Sequence, residues 1–253
     1  NLRAKPQRQA VEAHLDAYDY HAAWAVAQQM GDLLPDGARA LLEAAELRAH
    51  QQWRSIQLEL REKLIPKAVG DEERNIFEYL LWLQNRQQQA ELADFLRGLT
   101  PSLYHLCLYA VEHQGRFPIR EYSNGDWFDP EELKRDPAGT RVYDILTQAA
   151  RQPLRPGFLS SELCCRILEG LIPANCCVAP LAALRETEIR IRNIAAHTIV
   201  PITESLFRQR CGKTPEEIMQ LLRQAAQSVL GNDGLRWDSY EMMNRHIKAA
   251  LNG

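Results

Sequence analysis

Apolar residues recur every three to four positions along most of the chain, which is the pattern of amphipathic helices. Glycine and proline residues interrupt this pattern and mark where one predicted helix ends and the next begins. In the first half of the chain, the predicted helices span residues 10–30, 38–64 (as one long helix or two shorter ones), 72–86, 90–99 and 102–113. Because helical periodicity dominates, the sequence predicts an all-α fold.

Residues 115–140 lack helical periodicity and contain glycines, prolines and an Asn124-Gly125 pair instead. Asn-Gly is a strong turn signal. The stretches on either side of it, residues 119–122 and 127–128, could form a short β-hairpin. We interpret residues 115–140 as a turn-rich insertion between two helical parts, residues 1–114 and 141–253, which form one composite domain.

Helical periodicity resumes after the insertion at residues 142–151 and stops before Pro153 and Pro156. Ser160 precedes a further helix and is a plausible N-cap. Thr214-Pro215-Glu216-Glu217 combines a threonine cap, a proline in the first turn and acidic residues near the positive end of the helix dipole. The other predicted helices of this part span residues 181–198 and 238–251.

Composition narrows the class of protein. The chain has 253 residues, 45% of them hydrophobic and 25% charged, which is an ordinary balance for a globular protein. The net charge of -3 argues against a protein that coats nucleic acid without specificity, but it leaves room for a small basic cleft. No apolar run approaches the roughly 18 residues that a membrane-spanning helix needs. The chain begins with Asn1 rather than methionine, so an N-terminal domain could be missing.

Cysteine and histidine spacing gives no strong metal signal. Two vicinal cysteine pairs do not have the CxxC spacing of zinc sites, so we expect small buried thiols in a reducing cytoplasm. These cysteines are Cys107, Cys164, Cys165, Cys176, Cys177 and Cys211. Six of the histidines are scattered without ligand spacing, and we expect core or surface roles for them: His14, His21, His50, His105, His113 and His246.

Residues 185–198 carry the candidate chemistry. On a helix, a polar stripe contains Glu186, Arg190, Asn193 and His197, because they are spaced by four, three and four positions. An apolar stripe on another face contains Leu184, Ile191, Ala195 and Thr198. Arg192 lies five positions before His197, about 140° around the helix axis. A bend where the helix ends before Pro201 could bring the two side chains closer.

Two interpretations of this segment stay open on the residues alone. An arginine and a histidine at this spacing arise by chance in a chain of this composition, and a polar stripe is usually a solvated helix face. The alternative is a catalytic pair, in which Asn193 hydrogen-bonds the His197 imidazole and fixes its orientation.

The string Arg192-Asn193-x-x-Ala196-His197 resembles the R-x4-H signature of HEPN domains, including the asparagine that many of them carry after the arginine. The stretch from Tyr18 to Ala23 resembles the opening helix of the HEPN ribonucleases that accompany type III CRISPR systems. Those proteins usually carry an N-terminal CARF sensor domain that binds cyclic oligoadenylate. The chain shows no CARF-like alternation of strands and helices, so the resemblance implies that it is the effector part alone.

The resemblance implies a metal-independent endoribonuclease that cleaves single-stranded RNA in the cytoplasm through attack by the 2′-hydroxyl group. Histidine titrates near neutral pH and transfers protons, whereas arginine stays charged and matches phosphate geometry. His197 is then general acid or base, Arg192 stabilises the phosphate, and Asn193 orients the histidine or the substrate. Arg190 and Arg185 become candidates for the rim of an RNA cleft, and no metal or other cofactor is expected.

The resemblance also implies a homodimer, in which two such helices meet across a two-fold axis and one chain can supply a side chain to the other's site. Two other interpretations remain. One is a non-catalytic helical adaptor that binds protein partners. The other keeps the HEPN fold but makes the protein a toxin or a nucleotide-binding relative.

Overall fold

Backbone hydrogen bonding in the computed structural model follows the predicted helical periodicity. The structure describes residues 5–64, 70–125, 127–149, 154–197, 200–231 and 235–253, except for the side chains at 149 and 194–197. Its helices are α1 (Lys5–Asp16), α2 (Tyr20–Gln28), α3 (Asp36–Ala49), α4 (Leu58–Leu64), α5 (Asp71–Gln88), α6 (Leu92–His113), α7 (Pro130–Arg135), α8 (Thr140–Ala149), α9 (Ser161–Leu171), α10 (Val178–His197), α11 (Glu204–Cys211), α12 (Pro215–Leu230) and α13 (Ser239–Asn252). Short 3₁₀ turns lie at Gly31–Leu33, Trp53–Ser55 and Ile119–Tyr122. The predicted all-α class is confirmed.

The helix predicted over residues 10–30 is two helices, α1 and α2. Tyr18 has a positive φ of 56°, which ends α1 in the left-handed conformation. Asp19 then caps α2, because its side chain accepts a hydrogen bond from the Ala22 backbone N–H at 3.0 Å. A continuous helix was therefore the wrong prediction, because local capping starts a new helix within an unbroken apolar pattern.

The helices predicted over residues 90–99 and 102–113 are one helix, α6, with Pro101 inside it. Proline removes one backbone hydrogen bond and costs roughly 3 kcal/mol within a helix. Apolar residues on both sides of the proline share one buried face, including Leu96, Leu99, Leu103 and Leu106. Their burial outweighs the local cost, since each such side chain contributes roughly 1.5–3 kcal/mol.

Two predicted helix starts are confirmed. The Ser160 side chain accepts a hydrogen bond from the Leu163 backbone N–H and caps α9. Thr214 and Glu217 form a capping box at α12: the Thr214 hydroxyl accepts from the Glu217 N–H at 3.1 Å, and the Glu217 carboxylate accepts from the Thr214 N–H at 2.7 Å.

The turn-rich insertion contains the predicted hairpin, with a shifted first strand. Strand β1 (Ser123–Asn124) pairs antiparallel with β2 (Trp127–Phe128), and a third strand, β3 (Gly157–Phe158), pairs with the other edge of β2. Gly125 has φ of 61°, as the turn after Asn124 requires. Residues 119–122, predicted as the first strand, form a 3₁₀ turn instead, with Ile119 and Tyr122 buried.

The described chain divides into two compact units. The discontinuous unit contains residues 1–91 and 233–253, and the continuous unit contains residues 92–232. These units follow spatial contacts, whereas the division at residues 114 and 140 stays a prediction.

In the discontinuous unit, α2 packs on α1 and α3, and the C-terminal α13 packs on α1, α3 and α4. Arg48 of α3 lies within its core. The Arg48 Nε and Nη2 atoms each donate to the Glu78 carboxylate of α5 at 2.7 Å, and Nη2 also donates to Ser239 Oγ at 2.8 Å. The guanidinium lies over the Tyr240 ring, 4.1 Å from its centroid. The buried Arg48 charge is therefore compensated by a carboxylate, a hydroxyl group and an aromatic ring.

In the continuous unit, α6 packs against α9, α10 and α12, so that it lies at the centre of the helix packing. The Gln114 side-chain amide donates to the Ser228 and Val229 carbonyl oxygens at 2.8 and 2.9 Å. These contacts fix the end of α6 to the end of α12. The helix of the candidate motif, α10, contacts α6, α9, α11 and α12.

The prediction of small buried cysteines is confirmed for five of the six, whereas Cys176 is exposed. The Cys107 and Cys165 sulfur atoms lie 3.4 Å apart as free thiols of α6 and α9.

Candidate active site

Helix α10 presents one buried face and one exposed face. Leu184 and Ile191, from the predicted apolar stripe, are buried, while Glu186, Arg190 and Asn193, from the predicted polar stripe, are exposed. The other members of both stripes lie outside the described side chains or residues: Ala195, His197 and Thr198. The described part of α10 therefore has the predicted amphipathic division.

The buried face also holds a carboxylate, which the sequence did not single out. The Glu188 side chain is 2% exposed. Its Oε2 atom lies 2.5 Å from Arg185 Nη1, and its Oε1 atom accepts a hydrogen bond from the Thr100 hydroxyl of α6 at 2.7 Å. Arg185 in turn reaches the Glu162 carboxylate of α9 at 3.3 Å. Three helices therefore contribute to one charged network beneath the candidate motif.

Arg192 lies at the exposed edge of this network. Its side chain is 44% exposed, and its Nη1 atom lies 3.9 Å from Glu188 Oε1. The two residues are four positions apart on α10, which places their side chains on the same face of the helix. One guanidinium nitrogen of Arg192 therefore lies within ion-pair distance of a buried carboxylate, while much of the side chain remains accessible to a ligand.

Arg190 and Arg185 differ in their surroundings. Arg190 is exposed and forms an ion pair with Glu186 one turn earlier. The Arg185 side chain is 10% exposed and is engaged by Glu188 and Glu162. Arg190 is therefore free to face solvent, whereas Arg185 is held as an internal partner of two carboxylates.

His197 is the last residue of α10, and its side chain lies outside the described residues. The predicted hydrogen bond from Asn193 to the imidazole therefore stays a prediction. The backbone of α10 is helical from Arg192 through His197, so these residues are separated by about 140° around its axis. The bend that was predicted where the helix ends involves residues 198 and 199, which lie outside the described residues, so it stays a prediction.

Glu188, Thr100 and Glu162 were missed by the sequence analysis. A signal for Glu188 was present, because it has arginines three positions before and four positions after it. Thr100 and Glu162 lie on other helices, and only the packing of α6, α9 and α10 brings them to this point.

A second correction concerns the histidines. His21 and His50 converge with Glu46 in a group whose ligand atoms all lie within 4.8 Å of one another, so some histidines do have ligand spacing. The sequence could not show this for His21, because the packing of α2 on α3 brings it to Glu46 across 25 positions.

None of the helices in the described part of the chain has the length and apolar character to cross a membrane.

A helical fold with an R-x4-H string on a late helix is the arrangement of the HEPN class. The chain matches the Cas_Csm6 HEPN domain over residues 64–248 and the CRISPR-associated protein Csm6 6H domain over residues 1–49. The first match covers most of the sequence, so the chain belongs to the Csm6 HEPN domain family. The resemblance to HEPN proteins of type III CRISPR systems is confirmed at this level.

The chain is also similar to two individual Csm6 proteins, one in sequence and one in fold. It is 25% identical over 228 residues to the CRISPR system endoribonuclease Csm6 of Mycobacterium tuberculosis, an alignment that covers 87% of this chain and 51% of the relative. Its fold is similar to that of Enterococcus italicus Csm6 bound to cyclic hexa-2′-fluoro-hexa-dAMP, with a TM-score of 0.73 and 17% identity. That comparison covers 98% of this chain and 58% of the solved chain, and it shows the fold. The chain spans about half the length of the relative from M. tuberculosis.

Proposed function

We propose that the chain is the effector part of a type III CRISPR endoribonuclease that cleaves single-stranded RNA in the cytoplasm. One observation carries this proposal. The Csm6 HEPN family match includes the R-x4-H string, and Arg192 of that string is accessible and lies 3.9 Å from a buried carboxylate oxygen of Glu188.

The proposed reaction needs no external nucleophile, because RNA carries the 2′-hydroxyl group. His197 removes the proton from this hydroxyl or delivers one to the leaving 5′-oxygen, and Arg192 stabilises the negative charge on the phosphate. The 2′-oxygen forms a bond to phosphorus, and the bond from phosphorus to the 5′-oxygen breaks. The products are a 2′,3′-cyclic phosphate, or its hydrolysed form, and a 5′-hydroxyl.

Arg185 acts in this scheme through Glu188. Its guanidinium compensates the charge of Glu188, so that this carboxylate can stay buried beside Arg192. Arg185 is therefore a positioning residue, whereas Arg190 and Asn193 remain candidates for contact with RNA because both are exposed.

The proposal includes a homodimer. On a continuous helix, positions 192 and 197 are about 140° apart around the axis and therefore belong to different faces. Across a two-fold axis, a second α10 can place its histidine opposite the first chain's arginine. The activating signal is a cyclic oligoadenylate bound by a sensor domain outside this chain.

The test is cleavage of a labelled single-stranded RNA by the wild-type chain and by Arg192→Ala and His197→Ala variants. The full-length protein is assayed in parallel with cyclic oligoadenylates. Each substitution should lower the rate by at least about a hundredfold. Arg208→Ala, which alters an exposed ion pair on α11, serves as the control and should leave the rate unchanged. Full activity in both site variants would contradict the assignment of the site. Absence of cleavage by both the wild-type chain and the activated full-length protein would favour the non-catalytic adaptor.

A further inference from the structure

An open cavity of about 790 Å³ lies in the discontinuous unit. It forms where three helices end, since its lining includes Tyr18 after α1, Gln51 after α3 and Gln89 after α5. The start of α2 and the side chains of Trp82 and Arg86 complete much of its wall.

The backbone at these three helix ends is unusual. Tyr18, Gln51 and Ala90 have φ values of 56°, 60° and 58°, in the left-handed region that glycine occupies most readily. Each of these helices directs its last carbonyl groups, and hence the negative end of its dipole, toward its C-terminus. Three helix C-termini around one cavity favour a cation there.

A group of metal-ligating side chains lies in the wall of this cavity. His21 Nδ1 lies 2.8 Å from Glu46 Oε1, and His50 Nε2 lies 3.1 Å from the same oxygen. Glu46 and His50 are one turn apart near the end of α3, and His21 lies in the first turn of α2. The two imidazole rings stand 6.2 Å apart with an angle of 80° between their planes. Both rings therefore direct a nitrogen at one carboxylate.

Two oxygen atoms in the wall lack hydrogen-bond partners within the described residues. They are Glu46 Oε2 and Gln89 Oε1, and both are buried. The Gln89 amide nitrogen donates a hydrogen bond to the Tyr18 carbonyl oxygen at 2.6 Å, whereas the amide oxygen has no partner within the described residues. A buried acceptor without a partner is costly, and a cation would satisfy such an atom.

We propose that His21, Glu46 and His50 form a binding site for a divalent transition-metal ion of the Zn²⁺ type. In a tetrahedral site with bonds of roughly 2.0–2.2 Å, neighbouring ligand atoms are separated by about 3.4 Å. The observed nitrogen–oxygen distances of 2.8 and 3.1 Å need to widen only slightly to admit the ion.

Ligand chemistry selects the ion. Two imidazoles and one carboxylate suit Zn²⁺ and neighbouring transition metals, whereas Mg²⁺ and Ca²⁺ prefer all-oxygen sites. Three protein ligands leave one coordination position for water, and the cavity beside the group has room for it. The bound ion would connect α2 to the end of α3.

The experiment measures metal binding on the whole chain after chelation and dialysis. All proteins carry Cys176→Ser, because an exposed thiol is itself a zinc ligand. Titration calorimetry with ZnCl₂ should show a single bound ion, and Zn²⁺ should raise the melting temperature, whereas MgCl₂ should change neither measurement. Co²⁺ should give the strong visible absorption of a four-coordinate ion.

Variants assign the site. His21→Ala, His50→Ala and Glu46→Gln should each weaken Zn²⁺ binding by at least about tenfold and remove the Co²⁺ absorption. His246→Ala, an exposed histidine on α13 of the same unit, should bind as the parent does. The two histidine variants alter exposed side chains, and circular dichroism in EDTA checks that they fold.

Zn²⁺ affinity that is equal in the parent and in the three site variants would overturn the proposal. A weak Co²⁺ spectrum of the octahedral type in the parent would overturn it as well. Because these readouts do not involve RNA cleavage, failure of the metal site and failure of the proposed ribonuclease activity are distinguishable.

Discussion

Arg185 and Glu188 form an ion pair beneath the candidate motif, with Arg185 Nη1 2.5 Å from Glu188 Oε2 and both side chains largely removed from solvent. The Thr100 hydroxyl occupies the second carboxylate oxygen at 2.7 Å. Arg192, one turn further along α10, is the exposed neighbour of the same carboxylate. An accessible arginine and a buried arginine therefore share one anion.

Arg185→Ala should destabilise the protein by about 3 kcal/mol, because it leaves the buried Glu188 charge without its nearest cation. The matched control is Arg190→Ala on the same helix, where the ion pair with Glu186 is exposed and the change should stay within about 0.5 kcal/mol. Urea unfolding followed by circular dichroism gives both values. Equal losses in the two variants would contradict the role of Arg185 as a buried partner.

Glu188→Gln should lower kcat for RNA cleavage by about tenfold to a hundredfold, because Arg192 loses the negative charge that lies 3.9 Å from its guanidinium and helps to position it. KM should change little, since substrate binding does not depend on this contact alone. Steady-state kinetics below the unfolding temperature measures both constants. In an Arg192→Ala background, Glu188→Gln should have no further effect on kcat, and an additive loss would show that Glu188 acts by another route.

Glu217 should make the stability of α12 depend on pH. The hydrogen bond from the Thr214 backbone N–H lowers the pKa of the Glu217 carboxyl group in the folded state. A lowered pKa means that the stabilisation is present above the unfolded-state pKa of about 4.3 and is lost as the pH falls through the folded-state value. The gap in melting temperature between wild type and Glu217→Ala should therefore narrow below about pH 4.

The control for this prediction is Glu216→Ala, which removes a neighbouring exposed carboxylate from the same helical turn without touching the capping box. At neutral pH, Glu216→Ala should lower the melting temperature less than Glu217→Ala does. If the melting temperature of Glu216→Ala depended on pH as strongly as that of Glu217→Ala, the effect would come from negative charge at the helix start rather than from the capping box.

Arg48→Met and Glu78→Met should each destabilise the discontinuous unit by about 3–5 kcal/mol, because each leaves a buried charged partner unpaired. The double variant Arg48→Met/Glu78→Met should lose less than the sum of the single changes, since no charge is then stranded. Thermal unfolding compares these proteins with Arg135→Ala, which alters an exposed pair with Glu132. Additive losses would argue against a coupled pair.

Much of the helical architecture could be predicted from the sequence, because the apolar spacing and the capping residues are local signals. Ser160 and Thr214 cap helices as predicted, and the described residues of α10 divide into the predicted faces. The errors came where local and long-range energies compete. At Tyr18 and Asp19 a cap divides an apolar run, whereas at Pro101 burial of both flanking turns keeps one helix together.

The candidate sites were predicted less completely than the helices. The R-x4-H string can be recognised in the sequence because it is contiguous. The residues that pack beneath it cannot, because they are distant in sequence. Thr100 reaches Glu188 across 88 positions, and His21 reaches Glu46 across 25. Such contacts depend on how helices pack, and helical periodicity carries no information on which helices become neighbours.

The discontinuous unit has a consequence for the order in which the protein can form. Its last helix, α13, supplies Ser239 and Tyr240 to the buried Arg48 side chain, and the ribosome makes it after every residue of the continuous unit. The first 91 residues therefore emerge long before the segment that completes their core, whereas the continuous unit has its whole sequence available earlier. During translation, the core that residues 1–91 begin is therefore completed only after the whole continuous unit has been synthesised.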